Sequence, residues 1–180
     1  SLGGNITLKY LGERGPSVDP AITRAVAFSV PCDLRSSSMT LARPTNSIYM
    51  RRFLVSLRAK MLAKESLMAA PIDHEELRRM RTFQEFDDRF TAPLHGFRDA
   101  EDYWRQSSSR QFLGGITIPT LLVNALDDPF LDTPCYPYEE ARQSNHLWLE
   151  TPHHGGHVGF VSFASNGEYW SEQRAVEHLS

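Results

Sequence analysis

Three short stretches of the 180-residue chain pair a reactive side chain with residues that bend the backbone sharply. Ser1-Leu2-Gly3-Gly4-Asn5 offers a hydroxyl, Asp127-Asp128-Pro129 a carboxylate, and His153-His154-Gly155-Gly156-His157 imidazoles. A hydroxyl becomes a nucleophile when an imidazole removes its proton, and the imidazole works best when a carboxylate fixes its tautomer. Ser1-Leu2-Gly3 supplies the second half of the Gly-x-Ser-x-Gly turn, in which serine sits between a strand and a helix. The amide after that serine donates to the oxyanion, which makes Leu2 the candidate donor here. The first glycine of the motif would precede residue 1.

Each of these residues also has a plainer role. An Asp-Pro is most often a turn, and either Asp127 or Asp128 is a candidate for the acid, the other bonding the loop. His153 and His154 read as polar loop residues, since no Cys or carboxylate stands at metal-ligand spacing. His95 lines a site or simply packs, and Asp33 supports a site or makes a turn. Ser1 also reads as a remnant of expression. As an N-terminal nucleophile it would instead use its own amine as base.

Elements must hold these loops together. Apolar spacing predicts a helix over residues 2–12, stopped at Gly12. The apolar run from Ala25 to Pro31 reads as a buried strand. Residues 48–68 put Met50, Leu54, Leu57 and Met61 on one helical face, with Arg51, Arg52, Arg58, Lys60 and Lys64 largely elsewhere. Residues 73–90 are expected to be helical from an Asp73 cap, and residues 99–113 form another helix. Strands follow over residues 117–126 and 146–151, with helices over 137–144 and 170–179. Helices alternating with apolar strands define an α/β class with a mainly parallel sheet. Its functional groups are expected beyond the carboxyl ends of the strands, where Asp128 and His157 fall.

Composition narrows the partners. The net charge of −3 is too balanced for a surface that neutralises phosphates, so nucleic acid is excluded as the main partner. Cys32 and Cys135 are too few for a disulfide framework, and reduced thiols with a cytoplasmic location are expected. No stretch reaches the length of a membrane span. The basic stretch Arg51 to Lys64 fits either an anionic membrane surface or a solvated helix with its apolar face on the core, and the second is preferred.

The motifs then add up to a resemblance. Ser1-Leu2-Gly3-Gly4-Asn5 with Leu8-Lys9-Tyr10-Leu11-Gly12-Glu13 resembles the nucleophile elbow and following helix of the YheT-like α/β hydrolases. Phe86-Asp87-Asp88-Arg89-Phe90-Thr91-Ala92-Pro93 and His95-Gly96-Phe97 resemble that family's cap region. Asp102-Tyr103-Trp104-Arg105, Ser107-Ser108, Asn124-Ala125, Asp128-Pro129-Phe130 and Gly155-Gly156-His157-Val158-Gly159-Phe160 continue the likeness in the family's order. The resemblance implies the C-terminal portion of an α/β-hydrolase fold with an inserted helical cap. Residues 1–35 would form the elbow, helix and strand, residues 36–112 the cap, and residues 113–180 the strands carrying acid and histidine.

It further implies a serine hydrolase of carboxylic esters, of short- to medium-chain or acylglycerol-like type, with Ser1, Asp128 and His157 as triad and Leu2 at the oxyanion hole. Such a reaction needs no metal or organic cofactor. Strands before the elbow and the loop giving a second oxyanion donor are absent from the sequence, so an N-terminal half of the same fold is expected upstream of Ser1. Rival expectations are acyl transfer to an alcohol through the same acyl-enzyme and a noncatalytic binding module.

Overall fold

The computed structural model describes residues 1–68, 71–160 and 169–180. In chain order its elements are α1 (Leu2–Arg14), β1 (Ala25–Phe28), α2 (Leu34–Leu41), α3 (Ser47–Ala63), α4 (His74–Arg79), α5 (Phe83–Phe86), α6 (Ala92–Leu94), α7 (Ala100–Ser107), β2 (Thr120–Val123), α8 (Tyr138–Gln143), β3 (Leu147–Glu150) and α9 (Trp170–Leu179). They fall into two compact units, Ser1–Ser37 with Ser107–Ser180, and Ser38–Gln106.

The first unit is built on a parallel sheet in the order β1-β2-β3. Side chains alternate across it, as the two-residue period of a strand requires. Ala25, Ala27, Leu122 and Leu147 point to one face and pack with Leu8 and Leu11 of α1, Val30, Leu113 and Ile116. Leu121, Val123 and Ala125 pack with Phe160 on the other, where Val26, Phe28 and Trp170 join them. Both faces of the central strand are therefore covered, which is why β2 reads as a continuous apolar run, whereas β3 leaves Trp148 exposed at the edge. The registers place Phe28 beside Val123 and Val123 beside Glu150, so the three strands end level and their following loops leave from one edge.

Two glycines set how closely α1 lies. A Cβ on Gly4 would come 2.6 Å from Val30 Cγ2, so only glycine lets the start of α1 reach the end of β1. Gly3 has open space around it. Gly12 does not end the helix as its sequence position suggests. The helix runs on to Arg14 and stops at Gly15, whose φ is +49°. Gly12 is instead where the 110–115 turn crosses α1, and a Cβ there would lie 2.1 Å from the Phe112 carbonyl oxygen.

In the second unit α3 buries Met50 and Leu54. The single helix expected over residues 73–90 is broken. Asp73 caps α4 as foreseen, its carboxylate accepting from the Glu75 and Glu76 amides at 2.9 and 3.0 Å. Then Thr82 and Glu85 form a reciprocal capping box that starts α5, followed by a π turn over Asp87–Thr91. A capping box satisfies amides that only a helix start leaves free, so it marks a new helix wherever it forms. Arg58 holds the broken end by donating to the Leu77 and Met80 carbonyl oxygens. Likewise the helix expected over residues 99–113 ends at Ser107 and is followed by a 3-10 segment, Arg110–Gly115. The acids of the Asp87-Asp88 motif are structural here. Asp87 accepts from the Trp104 indole at 2.9 Å and Asp88 from the Ala100 amide at 2.7 Å.

Candidate active site

Because the strands of the first unit are parallel and level, the segments after them share an edge, and the candidate residues lie there. Asp128 follows β2 by five residues and His157 follows β3 by seven. The His157 ring nitrogen Nδ1 lies 2.8 Å from Asp128 Oδ2. Asp128's side chain is wholly enclosed and that of His157 is 13% exposed. The other carboxylate oxygen, Oδ1, accepts from the Phe130 amide at 2.9 Å, and the Phe130 ring packs against the imidazole with centroids 4.4 Å apart. The Asp128-Pro129-Phe130 sequence thus supplies an acid, a stiffened turn that returns an amide to that acid, and an aromatic wall for its histidine.

Asp127 is directed elsewhere. Its Oδ1 accepts from the Gly155 and Gly156 amides at 2.9 and 2.7 Å. These amide bonds, the Gly156 one foremost, hold its carboxyl below the usual range, with His154 adding to the effect. It ties the acid loop to the histidine loop, as does the Leu126 amide through the Pro152 carbonyl oxygen at 2.9 Å.

Ser1 stands at the N-cap of α1, and its carbonyl oxygen accepts the first helical bonds, from the Gly4 amide at 2.8 Å and the Asn5 amide at 3.3 Å. A serine there usually lends its side-chain oxygen to the cap. In this chain the hydroxyl makes no capping bond. The Leu2 amide precedes those first bonds, one of the free donors that every helix N-terminus carries, and the positive end of the helix dipole lies beside it. The Ser1 backbone nitrogen donates to the Phe28 carbonyl oxygen at 2.9 Å, which pins the residue to the end of β1.

The remaining candidates have other employment. Asp33 caps α2, its carboxylate accepting from the Ser36 amide at 2.7 Å. His153 and His95 are exposed. His154 Nδ1 lies 3.5 Å from Asp127. No group of three metal-ligating side chains occurs among the described residues. Cys32 and Cys135 are buried thiols, and burial pushes the pKa of both up.

Two residues that carry the geometry had no chemical signal in the sequence. Asn124 is fully buried directly after β2; its amide nitrogen donates to the Val30 and Cys135 carbonyl oxygens at 3.0 and 2.8 Å, and its oxygen accepts from the Val30 amide at 2.7 Å. It fastens the end of β1 and the 135 turn to the loop that bears Asp128. Tyr136 donates its hydroxyl to the Ala125 carbonyl oxygen at 2.7 Å, bracing the same loop. Its phenol is pushed up by burial first and by Asp128 second.

With this geometry in hand, comparison with known proteins is decisive for the family. Residues 30–158 match the family described as X-Pro dipeptidyl-peptidase (S15 family). The chain belongs to that family of α/β hydrolases, as a YheT-like member. It is 34% identical over 183 residues to YheT of Escherichia coli (strain K12), which carries the name of an esterase; the alignment covers 100% of this chain and 53% of that protein. It is 32% identical over 162 residues to the phospholipase ABHD3 of Mus musculus, covering 89% of this chain and 39% of the other. A monoacylglycerol lipase of Saccharomyces cerevisiae is 27% identical over 179 residues, covering 96% and 39%. The chain spans about half the length of the curated relatives it matches or less. No solved structure matches it.

Proposed function

We propose that this YheT-like chain carries the catalytic residues of a serine carboxylic-ester hydrolase, with Ser1 as nucleophile, His157 as base, Asp128 as orienting acid and Leu2 as oxyanion donor. The observation that carries the reading is the enclosed Asp128 carboxylate on His157 Nδ1 at 2.8 Å. With its proton on Nδ1, donated to that carboxylate, the imidazole keeps Nε2 free to accept one. Ser1 Oγ attacks the ester carbonyl as His157 takes its proton; the carbonyl π pair moves to oxygen, and the Leu2 amide donates to that oxyanion. Collapse expels the alcohol, which receives the proton from His157. Water then repeats the sequence on the acyl-enzyme. Asp128 stays ionised throughout and stabilises the imidazolium.

The names of the relatives support ester substrates, acylglycerol-like or other lipid esters among them; a short to medium acyl length is part of the proposal. A second reading comes from the matched family's description, which names a peptidase; the same acyl-enzyme forms from an amide. The test is turnover of p-nitrophenyl esters beside X-Pro p-nitroanilides in the intact protein, with Ser1→Ala and His157→Ala variants and fluorophosphonate labelling. Ester turnover and labelling lost in both variants are expected. Unchanged turnover sinks the proposal, anilide turnover alone favours the second reading, and a folded protein that neither labels nor turns over is a binding module. Ester products formed in the presence of added alcohol reveal acyl transfer.

A further inference from the structure

The helix α3 has a second apolar face that its own unit does not cover. Met50 and Leu54 are buried, yet Ile48, Val55 and Leu62, seven residues apart, are 80%, 55% and 42% exposed, with Ala59 also exposed among them. At about 100° and 1.5 Å per residue these form one stripe about 21 Å long, turned about 120° from the buried face. Leu67, 80% exposed, stands just beyond its end. A helix needs only one apolar face to join a core, so this stripe serves something else.

Charge says what. Between Leu34 and Lys64 the sequence holds seven basic residues and no acidic one, in a chain of net charge −3. Arg51 and Arg52 flank the stripe on its two sides, and Lys60 and Lys64 lie on the same helix or at its end; all four are exposed and none has a carboxylate partner among the described residues. We propose that α3 docks on an anionic lipid surface, its Ile48-Val55-Leu62 stripe entering the acyl boundary while these cations meet the headgroup phosphates. A protein partner would be expected to bring acids to specific positions. A bilayer needs only a stripe bordered by cations and lying in the interface plane, which is what α3 presents. No helix of the described residues is long and apolar enough to cross a membrane, so the contact is one of lying on the surface. It stands independently of the ester chemistry, since binding is read without turnover.

The experiment is co-sedimentation of the intact protein with phosphatidylcholine vesicles and with mixed phosphatidylcholine–phosphatidylglycerol vesicles. Binding to the anionic vesicles is expected, weakened by salt. Val55→Ser/Leu62→Ser and Arg51→Glu/Arg52→Glu should each lower the partition by about tenfold or more. Far-UV circular dichroism and turnover of a short water-dissolved ester should be unchanged in both, because these side chains lie outside the core. Equal binding to neutral vesicles, no binding by the parent protein, or unaltered binding by either variant overturns the proposal. So does a concentration-dependent dimer that the Val55→Ser/Leu62→Ser variant loses, which would make a second copy the occupant.

Discussion

Replacing Asp128 by Asn is the sharpest test of the site, because the structure dictates which way the new amide must face. Oδ1 accepts from the Phe130 amide at 2.9 Å, and the side chain is wholly enclosed. An asparagine must keep its oxygen there, since an NH2 group would face a donor. Its NH2 therefore points at His157 Nδ1, which has to accept, and the ring proton moves to Nε2. Nε2 can then no longer take the serine proton. A wrong tautomer of this kind costs about 10⁴ in turnover where it has been measured in such triads, equivalent to about 5.4 kcal/mol at about 1.36 kcal/mol per decade. Both hydrogen bonds survive, so thermal stability should change by no more than about 1 kcal/mol.

Asp127→Asn is the paired control. Its oxygen can still accept from the Gly155 and Gly156 amides, and activity should stay within about threefold of the parent, whereas Asp127→Ala frees the histidine loop and should cost about tenfold, in line with about 1 kcal/mol for lost, partly exposed hydrogen bonds. The assay is kcat/KM on a p-nitrophenyl ester series in the intact protein, with melting curves for each variant. Asp128→Asn retaining activity within tenfold, or Asp127→Asn falling as far as Asp128→Asn, would refute the reasoning.

Asn124→Leu strands the Val30 amide and the Val30 and Cys135 carbonyls in the core, at about 1–3 kcal/mol each; urea unfolding should show a loss of about 4 kcal/mol. Gly12→Ala gains about 1 kcal/mol of helix propensity. Its methyl would nevertheless sit 2.1 Å from a backbone oxygen, so a net loss of about 2–3 kcal/mol is expected in the same measurement. Burial raises the Asp87 carboxyl pKa above its ordinary value of 3.8, against hydrogen bonds from Thr91 and Trp104. The native state then holds that proton more tightly than the unfolded chain, and this group's contribution falls as pH rises from about 3.8 through the raised folded value. Asp87→Asn, whose oxygen can still accept from Trp104, should gain stability relative to the parent as pH rises from 4 to 7, and parallel unfolding curves at the two pH values would contradict this.

Local chemistry by itself determined much of this protein. Apolar runs ending at Pro31 and Leu126 marked the first two strands, since a strand covered on both faces needs apolar side chains at every position, and alternation over residues 146–151 marked the third. Their placement ahead of Asp128 and His157 made that pair legible as well, because parallel strands must end on a common edge. Sequence also marked the Asp73 cap, which depends on amides two and three residues away. What it left undecided were matters of distance between remote segments. Asp127 and Asp128 are equivalent in type; the resemblance at Asp128-Pro129-Phe130 favoured the second, and the fold sets Gly155 and Gly156 against the first and His157 against the second. Gly12 looked like a helix end because the crossing by Phe112 is a hundred residues away in the chain. Asn124 carried no chemical signature, since its worth lies in three backbone partners brought to it by tertiary contact. The stripe on α3 was missed because Met50 and Leu54 already supplied a face for the core, and only the fold shows that Ile48, Val55 and Leu62 stay exposed beside it.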